Sequence, residues 1–401
     1  VIRCTIGVFA HNEMPNVGRT LDALLTQELS TVAIEEIIVM ASGCTDGTVE
    51  FAQALAIKHP IIRVEVEVER SGKAAAVRHL ISMARGEVIV FVGADTLPAH
   101  DAIEHLLRPF ADPQVGMTGA RVIPLNAPTT FLGFAVQLLW RVHHHLALRK
   151  PKLGELVACR NTIADFPRDT ATDDLALEAL VVRQGYRLVY APMALVFNRG
   201  PQIYRDFVLQ RRRIFAGELR IALKYRYLSS SLSARHVLPL ALDAMRTHPR
   251  LQVWTMGVMA LELWSRLLGS IDAMTGREPV VWQDARSTKA LMMASDPVTL
   301  VSLQWAPDRF SGSKLLHELR RMPRSIGSMF WYDLRRGEIL VGLTTSAAAV
   351  EWLKVCLAAA DGAGSVQVSG IPQVPRRSAD VASPATPADD GTSLVWNAQS
   401  S

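Results

Sequence analysis

Four strand-like runs alternating with helical patterns dominate the first hundred residues. CTIGVFA (4–10), EEIIVMAS (35–42), IIRVEVEVE (61–69) and EVIVFVGAD (87–95) are the runs. Helical patterns over Val17 to Gln27, Thr48 to His59 and Gly72 to Ala84 separate them. Strands alternating with helices of this length indicate a parallel sheet covered on both faces. In such sheets ligands bind at the carboxyl ends of the strands. The polar residues cluster there: His11-Asn12-Glu13, Ser42-Gly43 and Asp95-Thr96.

The pattern then changes. FLGFAVQLLWRVHHHLALRKPK (131–152) predicts an amphipathic helix, GELVACRN (154–161) follows, and TATDDLALEALVVRQGYRLVYAP (170–192) predicts a helix and a strand. QRRRIFAGELRIALK (210–224) is strongly basic, and Val237 to Asp272 is helical and apolar. Beyond about Ser295 the order becomes βαββαβ: VTLVSLQW, GSKLLHELRRM, SMFWYDLRRGEILVGLTT as two strands, AAAVEWLKVCLAAA and SVQVSG. That order predicts a small α+β ferredoxin-like domain. It carries neither a flavin-site Gln/Tyr pattern nor an RNA-binding aromatic signature, which leaves a regulatory sensor or simple association as its role. The organisation expected is an α/β domain over 1–224, a helical extension over 225–294, the βαββαβ domain over 295–371 and a disordered Pro/Ser/Ala-rich tail over 372–401.

Composition excludes several classes. A net charge of +5 on 401 residues is too weak for a dedicated nucleic-acid binder, but suits contact with phosphates or an anionic membrane surface. Cys4, Cys44, Cys159 and Cys356 are far apart and form no CxxC pair, which argues against a zinc site or disulfide framework and for a reducing compartment. The first residues already read as a strand, so no signal peptide is expected. The longest apolar window, LQVWTMGVMAL (251–261), is too short to span a bilayer and reads as a core or interfacial helix.

The order of motifs is more specific than any one of them. FAHNE, SGCTDGT, SGKAAAVRHL, FVGADTLP, GELVACRN, TDDLALE, GYRLVYAP and QRRRIFAGE follow one another between about Ile2 and Leu223. In that series the chain resembles the family 2 glycosyltransferases. The resemblance implies a GT-A fold and inverting transfer of a sugar from a UDP- or GDP-linked donor. The acceptor hydroxyl would belong to a lipid, a lipid-linked sugar or a polysaccharide. A cytoplasmic location is expected, with peripheral association at the inner face of the cell membrane.

The resemblance also assigns roles. Asp95 would hold Mg²⁺ or Mn²⁺ on the donor diphosphate. The family's DxD motif reads Gly93-Ala94-Asp95, so its first carboxylate is missing. Asp174, ending Thr172-Asp173-Asp174, would be the general base, although Thr and Asp are also ordinary residues of a helix start. Gln210 and Arg213, in a QxxRW-like stretch with Ile214 in place of Trp, would meet the leaving diphosphate. Consecutive arginines splay about 100° apart on a helix, so Arg211 and Arg212 would face elsewhere. Ala10, Asn12, Glu13 and Ser42 would line the nucleoside pocket. Lys73 would contact base or phosphate unless it is a surface lysine. Arg160 would touch donor or acceptor unless it is held in a structural contact. His143-His144-His145 are expected to be interfacial polar residues. Two rivals are a nucleotidyltransferase, which the absence of a Gly-rich loop near the N-terminus argues against, and a catalytically degenerate nucleotide-sugar or glycan-binding protein.

Overall fold

The computed structural model describes residues 1–127, 130–168, 170–232, 239, 252–276 and four strands between 298 and 371. They fall into two compact units, Val1–Leu291 and Met292–Ser401.

The first unit is built on an eight-stranded sheet. Its opening half is β1 (Ile2–Ala10), α1 (Met14–Leu25), β2 (Val32–Ser42), α2 (Thr48–Lys58), β3 (Ile62–Glu67), α3 (Lys73–Met83) and β4 (Val88–Gly93). The strands lie in the order β3-β2-β1-β4, all parallel. β1 is buried from Cys4 to Ala10 and β4 from Val88 to Val92, because helices cover both faces of the continuous apolar runs. Phe9 and Phe91 stack between them with ring centroids 6.3 Å apart.

The second half comprises β5 (Leu97–Pro98), α4 (Ala102–Leu107), β6 (Val115–Pro124), α5 (Phe131–Arg149), β7 (Leu156–Arg160), α6 (Asp173–Arg183), β8 (Arg187–Asn198), α7 (Tyr204–Tyr225) and α8 (Gln252–Thr275). The sheet continues β4-β7-β6-β8-β5. Here it is mixed. β7 runs antiparallel to both β4 and β6, whereas β6 and β8 are parallel. The segment after α5 enters β7 at the carboxyl end of β4, so Leu156 pairs with Val92 and Arg160 with Val88.

α5 is core. Leu132, Ala135, Val136, Leu146 and Ala147 are buried, and so are His144 and His145. His144 Nδ1 shares a 2.8 Å hydrogen bond with the Tyr190 hydroxyl. The expectation of interfacial histidines is corrected for these two, which are buried. His143 lies beside Trp140, and burial, then Lys152 and Arg211, push its pKa down to about 3. No helix of the described residues is long and apolar enough to cross a membrane.

The second unit shows β9 (Val298–Trp305), β10 (Gly327–Asp333), β11 (Glu338–Thr344) and β12 (Val366–Ile371). They form one antiparallel sheet in the order β10-β11-β9-β12. In that order the first and third strands are central, as a βαββαβ chain requires when both helices cross one face. The two helices expected between these strands, the tail from 372, and most of the expected helix before Gln252 lie outside the described residues.

Candidate active site

The carboxyl ends of β1, β2 and β4 form one edge of the parallel half-sheet, and the loops after them meet there. Asn12 has φ +53°, and its Oδ1 accepts from the Thr45 backbone N–H at 2.7 Å. His11 Nδ1 donates to the Ser42 carbonyl at 2.7 Å. Glu13 is buried, accepts from Asn16 Nδ2 at 2.7 Å, and its own N–H donates to Thr48 Oγ1. Asn12 and Glu13 therefore tie the first loop to the second. Ala10 and Ser42 end their strands, buried side by side with the next loop. The Ser42 hydroxyl is buried without a hydrogen-bond partner among the described residues. A buried orphan hydroxyl is costly unless a ligand or water meets it.

Gly72 takes φ +89° and ψ 157°, a conformation essentially reserved for glycine, and starts α3. That turn delivers Lys73 inward. Its ammonium sits 2.7 Å from Asp173 Oδ2 and 5.6 Å from the centre of the Phe9 ring. Burial works against the Lys73 charge, but Asp173 and then Asp174 outweigh it and raise its pKa. Breaking a pair this buried strands a charge, at a typical cost of about 3–5 kcal/mol. Lys73→Met is expected to destabilise the fold by roughly that amount, read as a lower midpoint in urea at unchanged slope.

The acidic group gathers around this pair. Asp173 and Asp174 occupy the first turn of α6, where the helix N-terminus favours negative charge. Asp95 follows β4 and folds back: a Cβ on Gly93 would collide with its Oδ1. Glu155 precedes β7 with φ +62°, in a tight turn closed by the Leu156 N–H on the Gly154 carbonyl at 2.9 Å. The β4–β7 pairing ends at Val92↔Leu156, so the Glu155 turn stands at the carboxyl end of β4. The Glu155 N–H donates to the Asp174 carboxylate. Burial, then Asp95 and Asp174, push the Glu155 carboxyl up to about 7. Burial, then Asp173, also raises Asp174, while Lys73 pulls it down.

The loop that carries Glu155 is anchored from behind. Lys152 pairs with Glu218 of α7, and the Leu153 N–H donates to Glu178 Oε1 at 2.6 Å. Tyr227 donates to the other Glu178 oxygen at 2.9 Å. Of the three consecutive arginines of α7, Arg211 makes a bidentate pair with Glu262 at 2.7 Å, and Arg212 pairs with Asp272, both on α8. Arg213 turns the other way. Burial lowers its pKa to about 10, against the pull of Asp173, Glu155 and Asp174. Gln210 lies three residues earlier, on the same side of α7.

The structure thus brings Asp95, Asp174, Arg213 and Lys73 together. It does not bring Arg160, which sits at the opposite end of β7. Its guanidinium donates to the carbonyls of Val115, Phe110 and Asp112 at 2.8–3.0 Å. Glu155 is the site residue the motif reading passed over, although GELVACRN contains it. Among the described residues no three His, Cys, Asp or Glu side chains are placed to hold a metal ion by themselves.

The family model for glycosyl transferase family 2 matches residues 5–160, which span β1 to β7. Over these residues the chain matches a family 2 glycosyltransferase domain. Its fold is GT-A. The domain is similar to a mannosyltransferase of Pyrobaculum calidifontis solved with GDP-Man and Mn²⁺, with a TM-score of 0.50 and 22% identity over 69% of this chain and 88% of that one. It is 24% identical over 228 residues to a poly-beta-1,6-N-acetyl-D-glucosamine synthase of Staphylococcus aureus, covering 53% of this chain and 54% of that protein. A dolichyl-phosphate beta-glucosyltransferase of Trichomonas vaginalis is 36% identical over 108 residues, covering 25% of this chain and 32% of that protein. The chain thus spans about half the length, or less, of these two curated relatives.

Proposed function

We propose that the chain transfers a sugar from a nucleoside diphosphate to a hydroxyl, with inversion at the anomeric carbon. The observation that carries this is the convergence of Asp95, Glu155, Asp174 and Arg213 at the ligand-binding edge of the sheet. The acceptor oxygen bonds to the anomeric carbon as the bond from that carbon to the diphosphate breaks. Asp174 takes the acceptor proton. Asp173 is less suited, being buried and neutralised by Lys73. Arg213 faces the carboxylates and would stabilise charge on the departing diphosphate.

A divalent cation fits this site. The donors are hard carboxylate oxygens, and Mg²⁺ or Mn²⁺ needs only one or two of them beside phosphate oxygens. Asp95, with Glu155 next to it, would hold the cation, which when bound neutralises the diphosphate. Ala10 and Ser42 suit the nucleoside end, the orphan Ser42 hydroxyl being free to meet a polar group of the base or ribose. The mannosyltransferase solved with GDP-Man and Mn²⁺ and the synthase and glucosyltransferase relatives support a nucleotide-sugar donor and a glycan or lipid-borne acceptor. We place the reaction at the inner face of the cell membrane.

Calorimetric titration with UDP, GDP and their sugars, with and without Mn²⁺, tests the reading. Metal-dependent micromolar binding, lost in Asp95→Ala, is expected for one base. Binding with no turnover on any hydroxyl acceptor would favour the degenerate binding protein, for which the missing carboxylate at Gly93 speaks. No binding by the folded protein would overturn both.

A further inference from the structure

α8 is amphipathic the wrong way round for a helix of a water-soluble surface. Its charged residues face inward: Glu262 and Asp272 hold Arg211 and Arg212 of α7, and Arg266 donates to Glu262 at 2.9 Å. Thr255, Ser265 and Gly269 are buried on that same side, where a Cβ on Gly269 would press on the Arg212 carbonyl. Every exposed residue from Val253 to Met274 is apolar. Val253, Met256, Leu263, Leu267, Ile271 and Met274 recur at helical spacing along one face, with Leu263 70% and Met274 85% exposed. Trp264 sits on the same face, half exposed. At about 1.5 Å per residue the stripe runs roughly 30 Å. A patch that long on a protein surface marks an interaction site.

We infer that this face of α8 lies on a lipid bilayer whose headgroups are anionic. Charge selects that occupant. The end of α7 exposes Leu223 and Leu228 together with Lys224 and Arg226. The segment after it packs on the inward side of α8, where Arg266 donates to the Ser231 carbonyl at 3.4 Å, which keeps these cations near that helix. Apolar side chains flanked by cations match an interfacial helix, whose apolar face sinks about 5–10 Å while basic residues meet the headgroups. A second copy of this chain, packed face to face, would set the same cations against each other. α8 is not apolar enough along its length to cross a bilayer. The binding does not depend on the transfer chemistry. Its use, presenting a lipid-borne acceptor to the cleft on the far side of α7, rests on the proposed function.

Flotation of the full chain with phosphatidylcholine vesicles, with and without phosphatidylglycerol, tests the surface. The wild type is expected to float with the anionic vesicles, less with the neutral ones, and less again at high salt. A Leu263→Glu/Leu267→Glu variant is expected to bind roughly tenfold more weakly or worse. Its circular dichroism and nucleotide titration, which α8's outer face does not touch, would stay as in the wild type. Lys224→Glu/Arg226→Glu leaves the stripe intact and is expected to lose only the preference for anionic lipid. Trp264 fluorescence should shift to the blue on vesicles, a change absent in Trp264→Phe. The inference is overturned if the wild type fails to float, or if the charged-stripe variant floats as well as the wild type. It is equally overturned if the protein is a dimer that this variant makes monomeric without any vesicle binding.

Discussion

Asp174→Asn is expected to bind the nucleotide-sugar as the wild type does and to turn it over about 10²–10⁴-fold more slowly. The surroundings of the two acidic neighbours differ. Asp173 is only 3% exposed and spends its charge on Lys73 at 2.7 Å. Asp174 lies on the cleft side of the same helical turn, with one hydrogen bond from the Glu155 N–H. Burial and the neighbouring Asp173 raise its pKa, so it is a stronger base than a surface aspartate. The activity of the wild type should therefore fall as pH drops through that raised value, because the protonated form cannot take the acceptor proton. The residual activity of Asp174→Asn should lack this acid limb. Asp173→Asn separates the roles: it should lower stability by stranding Lys73, and shift the acid limb to lower pH without abolishing it. Steady-state rates across pH, with titration of the donor, check all three. An Asp174→Asn enzyme with wild-type kcat would remove this residue from the chemistry.

The strand-helix alternation made the parallel half-sheet legible, since β1, β2 and β4 advertise burial on both faces. The reversal at β7 was not legible. Five residues of GELVACRN pair equally well in either direction, and only the path of the chain after α5 decides. That single reversal exchanges the two ends of the strand. It takes Arg160, which looked like a ligand for phosphate, to a set of loop carbonyls, and brings Glu155 to the carboxyl end of β4 in its stead. Asn12 and Glu13 illustrate a second limit of motif reading. Both stand where the resemblance sets a nucleoside pocket, yet their side chains hold the loops that shape it. The helices α5 and α8 share a composition of Trp, Leu, Met or Phe with Arg or His, so sequence left the same two options for each. Tertiary packing decides: the sheet covers α5, whereas the arginines of α7 draw the polar side of α8 inward. The arginine run itself was more transparent, because a 100° step per residue forces three neighbours apart. Arg211 and Arg212 serve α8, and Arg213 serves the carboxylates.

Glu155→Gln is expected to weaken Mn²⁺-assisted donor binding by roughly tenfold, or about 1.4 kcal/mol, and to leave metal-free nucleotide binding nearly unchanged. Position, not motif, is the reason. A DxD strand end presents two carboxylates from one strand, and this chain has glycine at the first position. The carboxylate of Asp95 folds into the space a side chain at Gly93 would take, and Glu155 comes from the turn that opens the adjacent strand, at the carboxyl end of β4. Two oxygen ligands are thereby restored from two strands. Gly93→Asp in the Glu155→Gln background should recover part of the loss, and only part, because the new side chain must displace Asp95 Oδ1. The metal-free protein supplies an independent reading. The Glu155 carboxyl is held up to about 7, above its value in an unfolded chain. An acid raised on folding favours the folded state at low pH and takes that stability away as pH rises through about 7. The thermal midpoint should therefore fall between about pH 5 and 8, and Mn²⁺ should restore it at the upper end, where the carboxylate is bare, and do little at the lower end, where a proton already fills the place. Glu155→Gln should flatten the fall and lose the metal-dependent recovery. Equal recovery by Mn²⁺ in the wild type and in Glu155→Gln would leave Asp95 as the metal's protein ligand and reduce Glu155 to a buried acid of the cleft wall.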